Sequence, residues 1–247
     1  MTLQEFFAAN PRAALAFSGG ADSAFLLWAA QKYGCTVHAY YVHSAFQPDF
    51  ELRDARRLAG ELGIALTVLE TDLLSVPHVA ENPPDRCYHC KTALFTLLRN
   101  AAEADGYSLL LDGTNASDDP GDRPGMRALR ALAVRSPLRE CGMTKSEIRA
   151  ASKAAGLFTW DKPAYACLAT RVPCGTELTS EILRKIETAE DGLFGLGFTD
   201  FRVRLAGKNA RLQFPAQQLA RAVEQRGALL AILSPLFDGV MLDLEAR

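Results

Sequence analysis

The chain has no uninterrupted apolar run approaching the roughly 18 residues of a membrane-spanning helix. Its start, Met1-Thr2-Leu3-Gln4-Glu5, lacks the basic region and long apolar stretch of a secretory signal, so the expected compartment is the cytoplasm. Charge of one sign is missing as well. Lys and Arg number 27 against 29 Asp and Glu, a formal net charge of -2. No global basic field therefore draws the chain to nucleic acid or to an anionic membrane. No internal repeat or low-complexity tract is present, which excludes a solenoid and a long disordered tail. The six cysteines come without an export signal. They read as reduced thiols, suited to metal, cluster or sulfur chemistry rather than to a disulfide framework.

What is present is an ordinary globular composition, 49% hydrophobic and 23% charged, in a chain of 247 residues that can bury a large core. The organising stretch is Leu15-Ala16-Phe17-Ser18-Gly19-Gly20-Ala21-Asp22-Ser23. A short apolar run, Ala13 to Phe17, predicts a buried parallel strand. Ser18-Gly19-Gly20 lets the backbone turn sharply and approach a ligand closely. The helix that follows presents its N-terminal amides and dipole to whatever fills the turn, which favours an anion. Ser18 and Ser23 add hydroxyl donors. Asp22 would repel a bare phosphate, so its expected roles are capping and holding a cation such as magnesium. The Gly-Lys-Ser/Thr end of a Walker A loop is absent. SGGxDS instead resembles the loop of the PP-loop ATP pyrophosphatases, which cleave ATP to AMP and pyrophosphate.

Downstream, strands and helices alternate, predicting a doubly wound parallel sheet with right-handed crossovers. Strands are expected over 36–42, 64–69 and 108–111. Helices are expected over 4–9, 23–33, 49–62, 92–104, 126–133 and 144–155. Thr144 and Glu147 are spaced as a capping box. Arg135 to Leu138 reads as extended. Strand tips at His43 and at Asp112-Gly113-Thr114-Asn115 are natural nucleotide-facing positions at the carboxyl edge of such a sheet. Residues 116–127, with Asp118, Asp119, Asp122, Arg123 and Arg127, read as a polar loop, and Asp118 is a second candidate for magnesium. Lys162-Pro163 marks a boundary between a nucleotide-binding domain over 1–162 and a small α+β domain over 163–247. In the latter, 179–194 and 216–226 read as helices, 201–205 and 209–214 as a hairpin, and 240–244 as a last strand.

Further stretches narrow the resemblance. Leu111-Asp112-Gly113-Thr114-Asn115-Ala116-Ser117-Asp118, Arg123-Pro124-Gly125, Arg135-Ser136-Pro137-Leu138 and Ala169-Thr170-Arg171-Val172-Pro173-Cys174-Gly175-Thr176 resemble the LarE family, as does Phe201-Arg202-Val203-Arg204. That family comprises ATP-dependent sulfur transferases of nickel-pincer nucleotide cofactor biosynthesis. The resemblance implies adenylation of a carboxylate of pyridinium-3,5-biscarboxylic acid mononucleotide, then displacement of AMP by sulfur. It implies ATP and magnesium, with Ser18, Gly19, Gly20, Asp22, Ser23, His43, Asp112, Gly113 and Asn115 at the nucleotide. It also implies a small-molecule nucleotide substrate, a sulfide or other sulfur donor, and a homo-oligomer.

The resemblance leaves two sulfur sources to weigh. One version of the family sacrifices its own cysteine, about five residues before the arginine of the S-R-x-P-Y-G stretch; here that arginine is Arg171 and Ala166 holds the position, with Cys167 next to it. The other version holds a [4Fe-4S] cluster on three cysteines. Cys87 and Cys90 form a C-x-x-C, and with Cys167 they are read as the trio, three thiolates leaving one iron open. Cys174 is a spare that could replace one ligand or complete a four-thiolate zinc site. Cys35 and Cys141 read as small core hydrophobes. Arg171, Arg202 and Arg204 suit bidentate anion recognition of the substrate, although alternating Arg202 and Arg204 also read as a solvated strand face. Glu190 reads as a surface charge, Lys145 as part of a helix cap, and His89 as pointing away from the cysteines. The competing functions are a tRNA or other small-molecule thiolase of the same superfamily, and a nucleotide-binding protein whose cysteines hold zinc.

Overall fold

Two sheets organise the chain, of which the computed structural model describes residues 1–118 and 124–247. Asp119, Asp122 and Arg123 of the predicted polar loop lie outside the described residues. The first sheet has four parallel strands in the order β3-β2-β1-β4: β1 (Arg12–Ala16), β2 (Thr36–His43), β3 (Leu66–Glu70) and the short β4 (Leu110–Leu111). The chain thus leaves β1 in opposite directions across the sheet. The crevice beyond the carboxyl ends of β1 and β4 is the switch point where such sheets bind ligands.

Strand periodicity splits the core between the two faces. Tyr41 packs on one side with Phe6, Leu26, Leu27 and Leu58. Its neighbour Tyr40 packs on the other with Phe95, Leu98 and Leu110. The first face is covered by α1 (Leu3–Ala9), α2 (Ala21–Lys32), α3 (Asp49–Leu62) and α7 (Lys145–Ala154). The second is covered by α4 (Arg86–Ala104) and α5 (Pro124–Ala131). Thr144 and Glu147 form the expected capping box on α7. Two expectations need correction here. Helix α4 begins at Arg86, not near residue 92, because Arg86 and Cys90 bury against neighbouring residues and tertiary packing overrides the weak helix propensity of Cys, Tyr and His. Pro137–Glu140 is a helical turn, α6, rather than extended chain, with Pro137 pre-set for a first helical position. Only Arg135 bridges to the sheet there, at Leu111. No helix among the described residues is long and apolar enough to cross a membrane.

The second sheet is β5 (Arg202–Ala206), β6 (Asn209–Gln213) and β7 (Val240–Leu242), with β5 and β6 forming the expected antiparallel hairpin and β7 parallel to β6. It packs on α8 (Ser180–Gly195), α9 (Ala216–Glu224) and α10 (Arg226–Leu233) through Leu193, Phe198, Phe201, Val203 and Phe214. Helix α10 was not expected. It is apolar on most sides and carries no helical periodicity that sets it apart from a buried strand.

A further apolar cluster draws on both sides of Lys162-Pro163, with Phe46, Leu73 and Cys90 meeting Leu168, Val172 and Ile186. Beside it lies a buried ion pair. Arg171 donates from Nε and Nη2 to Glu190 Oε1 and Oε2 at 2.9 and 3.1 Å. Both residues are 1% exposed. Glu190 is therefore no surface charge: α8 turns it inward, where it also accepts from the Val203 amide at 2.9 Å and from the Tyr165 hydroxyl.

Two outcomes follow for stability. Glu190→Ala leaves a buried guanidinium unpaired and should cost about 3–5 kcal/mol in urea unfolding; a loss under about 1 kcal/mol would show that the pair is not holding the junction. A methyl group at Gly113 would stand 2.9 Å from the Ser23 amide nitrogen and 3.1 Å from its Cα. Gly113→Ala should therefore retain the far-ultraviolet circular dichroism but lose about 1–3 kcal/mol of stability and weaken ATP binding in titration calorimetry.

Candidate active site

The turn after β1 closes as its glycines demand. Gly19 takes φ +71°, and a side chain there would meet the Glu51 carbonyl of α3 at 3.0 Å. Ser18 and Ser23 bring their hydroxyls to 3.0 Å of each other across the loop. Asp22, in the first turn of α2, is held through one oxygen only. Its Oδ2 accepts from Asn115 Nδ2 at 3.2 Å and lies 3.5 Å from Lys145 Nζ. Its Oδ1 is buried without a hydrogen-bond partner. A carboxylate oxygen in that state fits a cation, so the residues present suit magnesium at Asp22. Lys145 thus reaches the loop as well as opening α7. Lys162 Nζ buttresses the turn from behind, donating to the Gly19 carbonyl at 3.2 Å and to Asp54 at 2.6 Å.

The loop opens into a cavity of about 380 Å³, within the size range of small-molecule sites. Ser18, Gly20, Asp22, Ser23, Asp112, Gly113 and Asp118 all line it. So does Cys167, from the far side of Lys162-Pro163. Asp112 is 7% exposed and is spent on structure, accepting from Ser136 Oγ at 2.6 Å and from the Thr114 amide at 3.3 Å. Burial holds its carboxyl above the usual carboxylate range, against the pull of those hydrogen bonds. Asn115 is fully buried behind the cavity and joins Asp22 to Asp118, whose Oδ2 accepts its amide at 2.9 Å. His43 does not line the cavity; its ring lies between Glu70 at 2.9 Å and Asp49 at 3.3 Å.

Three lining residues escaped the sequence reading. Lys91 follows Cys90 and lines the cavity, where its charge acts on the buried Asp112. Glu51 lines the wall, and burial pushes its carboxyl up to about 7 despite the nearby Lys162. The Tyr41 hydroxyl is buried without a partner in the same wall. Only Lys91 had a sequence signal, its place directly after the C-x-x-C on a helix that the sequence starts too late.

The thiols gather around one guanidinium. Arg86, at the start of α4, is 6% exposed and donates from Nη1 to Cys167 Sγ at 3.9 Å. Burial works against its charge, but Cys167, Cys87 and Cys90 together more than offset this and raise its affinity for the proton. Among the described residues no three His, Cys, Asp or Glu side chains stand close enough to hold one metal ion. A polynuclear cluster places each thiolate on a different iron, so its ligands stand further apart than those of a single ion. Cys174 is exposed and donates its S–H to the Asn82 carbonyl at 3.3 Å. Cys35 and Cys141 pack with the first core. His89 turns to Asp85 at 3.4 Å and to the His78 ring at 5.2 Å.

The three candidate anion-binding arginines stand apart from this cavity. Arg171 has Nε and Nη2 on Glu190, and Nη1 donates to the Ala166 carbonyl and to Thr170 Oγ1, both at 2.9 Å. Arg202 is 4% exposed, so β5 is not a solvated face at that end. It donates to the Phe201 and Ala164 carbonyls at 2.6 and 2.5 Å, and burial, then Arg171 and Arg247, lower its pKa to about 10. It lines a side cavity of about 130 Å³ with Phe50, Lys162 and Tyr165. Arg204 donates to the Thr170 carbonyl at 2.6 Å.

Comparison with known proteins follows the same division. A family model described as queuosine biosynthesis protein QueC matches residues 12–80, the stretch that carries the phosphate loop and ends before Arg86. An uncharacterized protein of Synechocystis is 37% identical over 98% of this chain and 92% of its own length. The pyridinium-3,5-bisthiocarboxylic acid mononucleotide synthase of Lactiplantibacillus plantarum is 34% identical over 84% of this chain and 76% of its own length. A 7-cyano-7-deazaguanine synthase of Erythrobacter litoralis is 29% identical over 82% of the chain. The likeness to the bisthiocarboxylic acid synthase runs well beyond the phosphate loop, and by it the chain belongs to the LarE family of PP-loop enzymes.

Proposed function

We propose that the chain is an ATP-dependent sulfur transferase that converts a carboxylate of pyridinium-3,5-biscarboxylic acid mononucleotide to a thiocarboxylate. One observation carries the reading: the phosphate-loop serines and Cys167 line a single cavity. A carboxylate is a poor acyl donor, so it must first attack the α-phosphorus of ATP and expel pyrophosphate. Sulfur then attacks the acyl carbon. The C–S bond forms, the C–O bond to AMP breaks, and the electron pair leaves on the phosphate oxygen.

In this reading the loop amides and the hydroxyls of Ser18 and Ser23 bind the pyrophosphate end. Asp22, with Asp118, would hold magnesium, which neutralises phosphate charge. Lys91 lines the same cavity as the phosphate-loop serines and Cys167, and stabilises negative charge on the α-phosphate and on departing AMP. Arg202 and Lys162 in the side cavity take the anionic groups of the substrate nucleotide. Cys87, Cys90 and Cys167 would hold a [4Fe-4S] cluster, which when bound supplies sulfur for repeated turnover. The enzyme then works in the cytoplasm with a sulfide donor. The exposed Val223, Leu230, Met241 and Leu244 support association of copies of the chain.

Anaerobically purified protein should be brown. Incubated with ATP, magnesium, sulfide and the pyridinium dicarboxylate, it should release AMP and give a product heavier by one oxygen-to-sulfur exchange in mass spectrometry. AMP release that instead follows added tRNA would replace this reading with that of a tRNA thiolase. Lys91→Met should lower kcat by roughly 100-fold or more with the fold intact; unchanged kcat would remove Lys91 from the reaction.

A further inference from the structure

A buried hydroxyl without a partner costs free energy in the free chain, so it marks a place where a ligand supplies the missing bond. Tyr41 carries one. The residue is 1% exposed and lines the nucleotide cavity, and its Oη has no hydrogen-bond partner among the described residues. Gln47 and Glu51 stand in the same wall. Gln47 Oε1 accepts from Ser44 Oγ at 2.6 Å, so what Gln47 has left to offer is chiefly the donor end of its amide. Glu51 belongs to the first turn of α3, and its carbonyl is the atom that a side chain on Gly19 would meet at 3.0 Å. The wall therefore abuts the phosphate loop. Burial, and after it the charge of Glu51, keep the Tyr41 phenol protonated, so it faces a ligand as an O–H donor.

The rest of the cavity sorts the parts of a nucleotide. Phosphates carry no proton to give to Glu51, which repels them, and the loop amides and serine hydroxyls suit them better. An aromatic base suits the apolar lining of Leu94, Phe95 and Leu98, which lies with Tyr40 on the α4 face of the sheet. Tyr41 and Glu51 lie on the α3 face. The part left for them is the ribose. A vicinal diol offers two O–H donors and two acceptor oxygens. A carboxylate accepts from such hydroxyls, as acidic side chains do beside the phosphate sites of doubly wound sheets, and a phenol donates to them.

We propose that Tyr41 and Glu51 form a ribose subsite that reads the vicinal hydroxyls of a nucleotide bound in the cavity. The proposal rests on the reading of this cavity as a nucleotide site but needs no sulfur transfer, and binding alone tests it. The whole chain, with magnesium and without a sulfur donor, is titrated in a calorimeter with ATP, 2′-deoxyATP and 3′-deoxyATP. A second series uses pyridinium-3,5-biscarboxylic acid mononucleotide and its 2′-deoxy and 3′-deoxy forms. In one series, loss of a hydroxyl should weaken binding roughly tenfold or more, which is about 1.4 kcal/mol. The series affected identifies whose ribose is read. Tyr41→Phe and Glu51→Gln should each bring the ribose and deoxyribose forms of that nucleotide within about threefold of each other. Because the Tyr41 hydroxyl has no partner in the chain, Tyr41→Phe should leave the Tm of the free protein unchanged or raise it. A lower Tm shows the hydroxyl bonded within the fold and overturns the proposal. Equal binding of ribose and deoxyribose forms in both series overturns it, as does a preference that survives in either variant. Failure of every nucleotide to bind removes the nucleotide reading and the proposal together. A chain that shows the preference yet thiolates nothing refutes the sulfur-transfer reading alone.

Discussion

The placement of the site depends on one buried ion pair. Arg171 and Glu190 sit in almost complete isolation from water, and every polar atom of the Glu190 carboxylate is engaged. Such a pair gains little net stability, because desolvation consumes most of the attraction. What it supplies is position. Glu190 is anchored on α8 and bonded to the β5 backbone, so Arg171 cannot drift. Through Nη1, Arg171 then fixes the Ala166 carbonyl, one residue before Cys167. From the other side, the Leu168 amide donates to the Phe46 carbonyl at 2.9 Å. Cys167 is pinned between the second sheet and the loop after β2, and that is how a residue from the far side of Lys162-Pro163 comes to line a cavity built on β1 and β4.

Charge is laid out in layers around this point. Asp22 and Asp118 line the phosphate end, with Lys145 and Lys91 close by. Arg86 lies against Cys167, and Arg202 with Lys162 lines the side cavity. With a net charge of only -2, the chain does not attract anions as a whole; it concentrates cations where anions must be brought together. Adenylation brings a carboxylate to the α-phosphorus of ATP and thiolation brings sulfur to the acyl carbon, each beside other negatively charged groups, so this local arrangement matters more than any global field.

The sheet was legible because its signals are local. Short apolar strands, the SGGxDS turn and the Thr144–Glu147 cap each carry their own physics, and the parallel pairing followed from the alternation of strand and helix, though the strand order did not. The fate of the charged side chains was not legible. Glu190 lies on a helix whose other inward residues, Leu183, Ile186 and Leu193, share its face, yet a carboxylate there reads as exposed until its arginine is known to arrive from 19 positions earlier. Arg202 alternates with Arg204 like a solvated strand, and only the third dimension buries it under Ala164 and Tyr165. Lys91 was hidden by a helix start placed six residues late: moving the first turn of α4 back to Arg86 turns a loop C-x-x-C into two thiols one turn apart, with a lysine directly after them.

That last shift has a chemical consequence. On a helix, Cys87 and Cys90 are three residues apart and share a face, and Arg86 and Lys91 bracket them. Cys90 is buried and Cys87 exposed, so the pair runs from the interior to solvent, while half-buried Cys167 lines the cavity. A redox pair would need only the two thiols, and a structural zinc site would need all its ligands closed around one ion. Neither by itself explains why Cys167 borders the nucleotide cavity while the buried Arg86 donates to its sulfur. Helix α4 and the loop after Lys162-Pro163 thus meet at Cys167, where Arg86 of α4 donates to a sulfur that lines the nucleotide cavity.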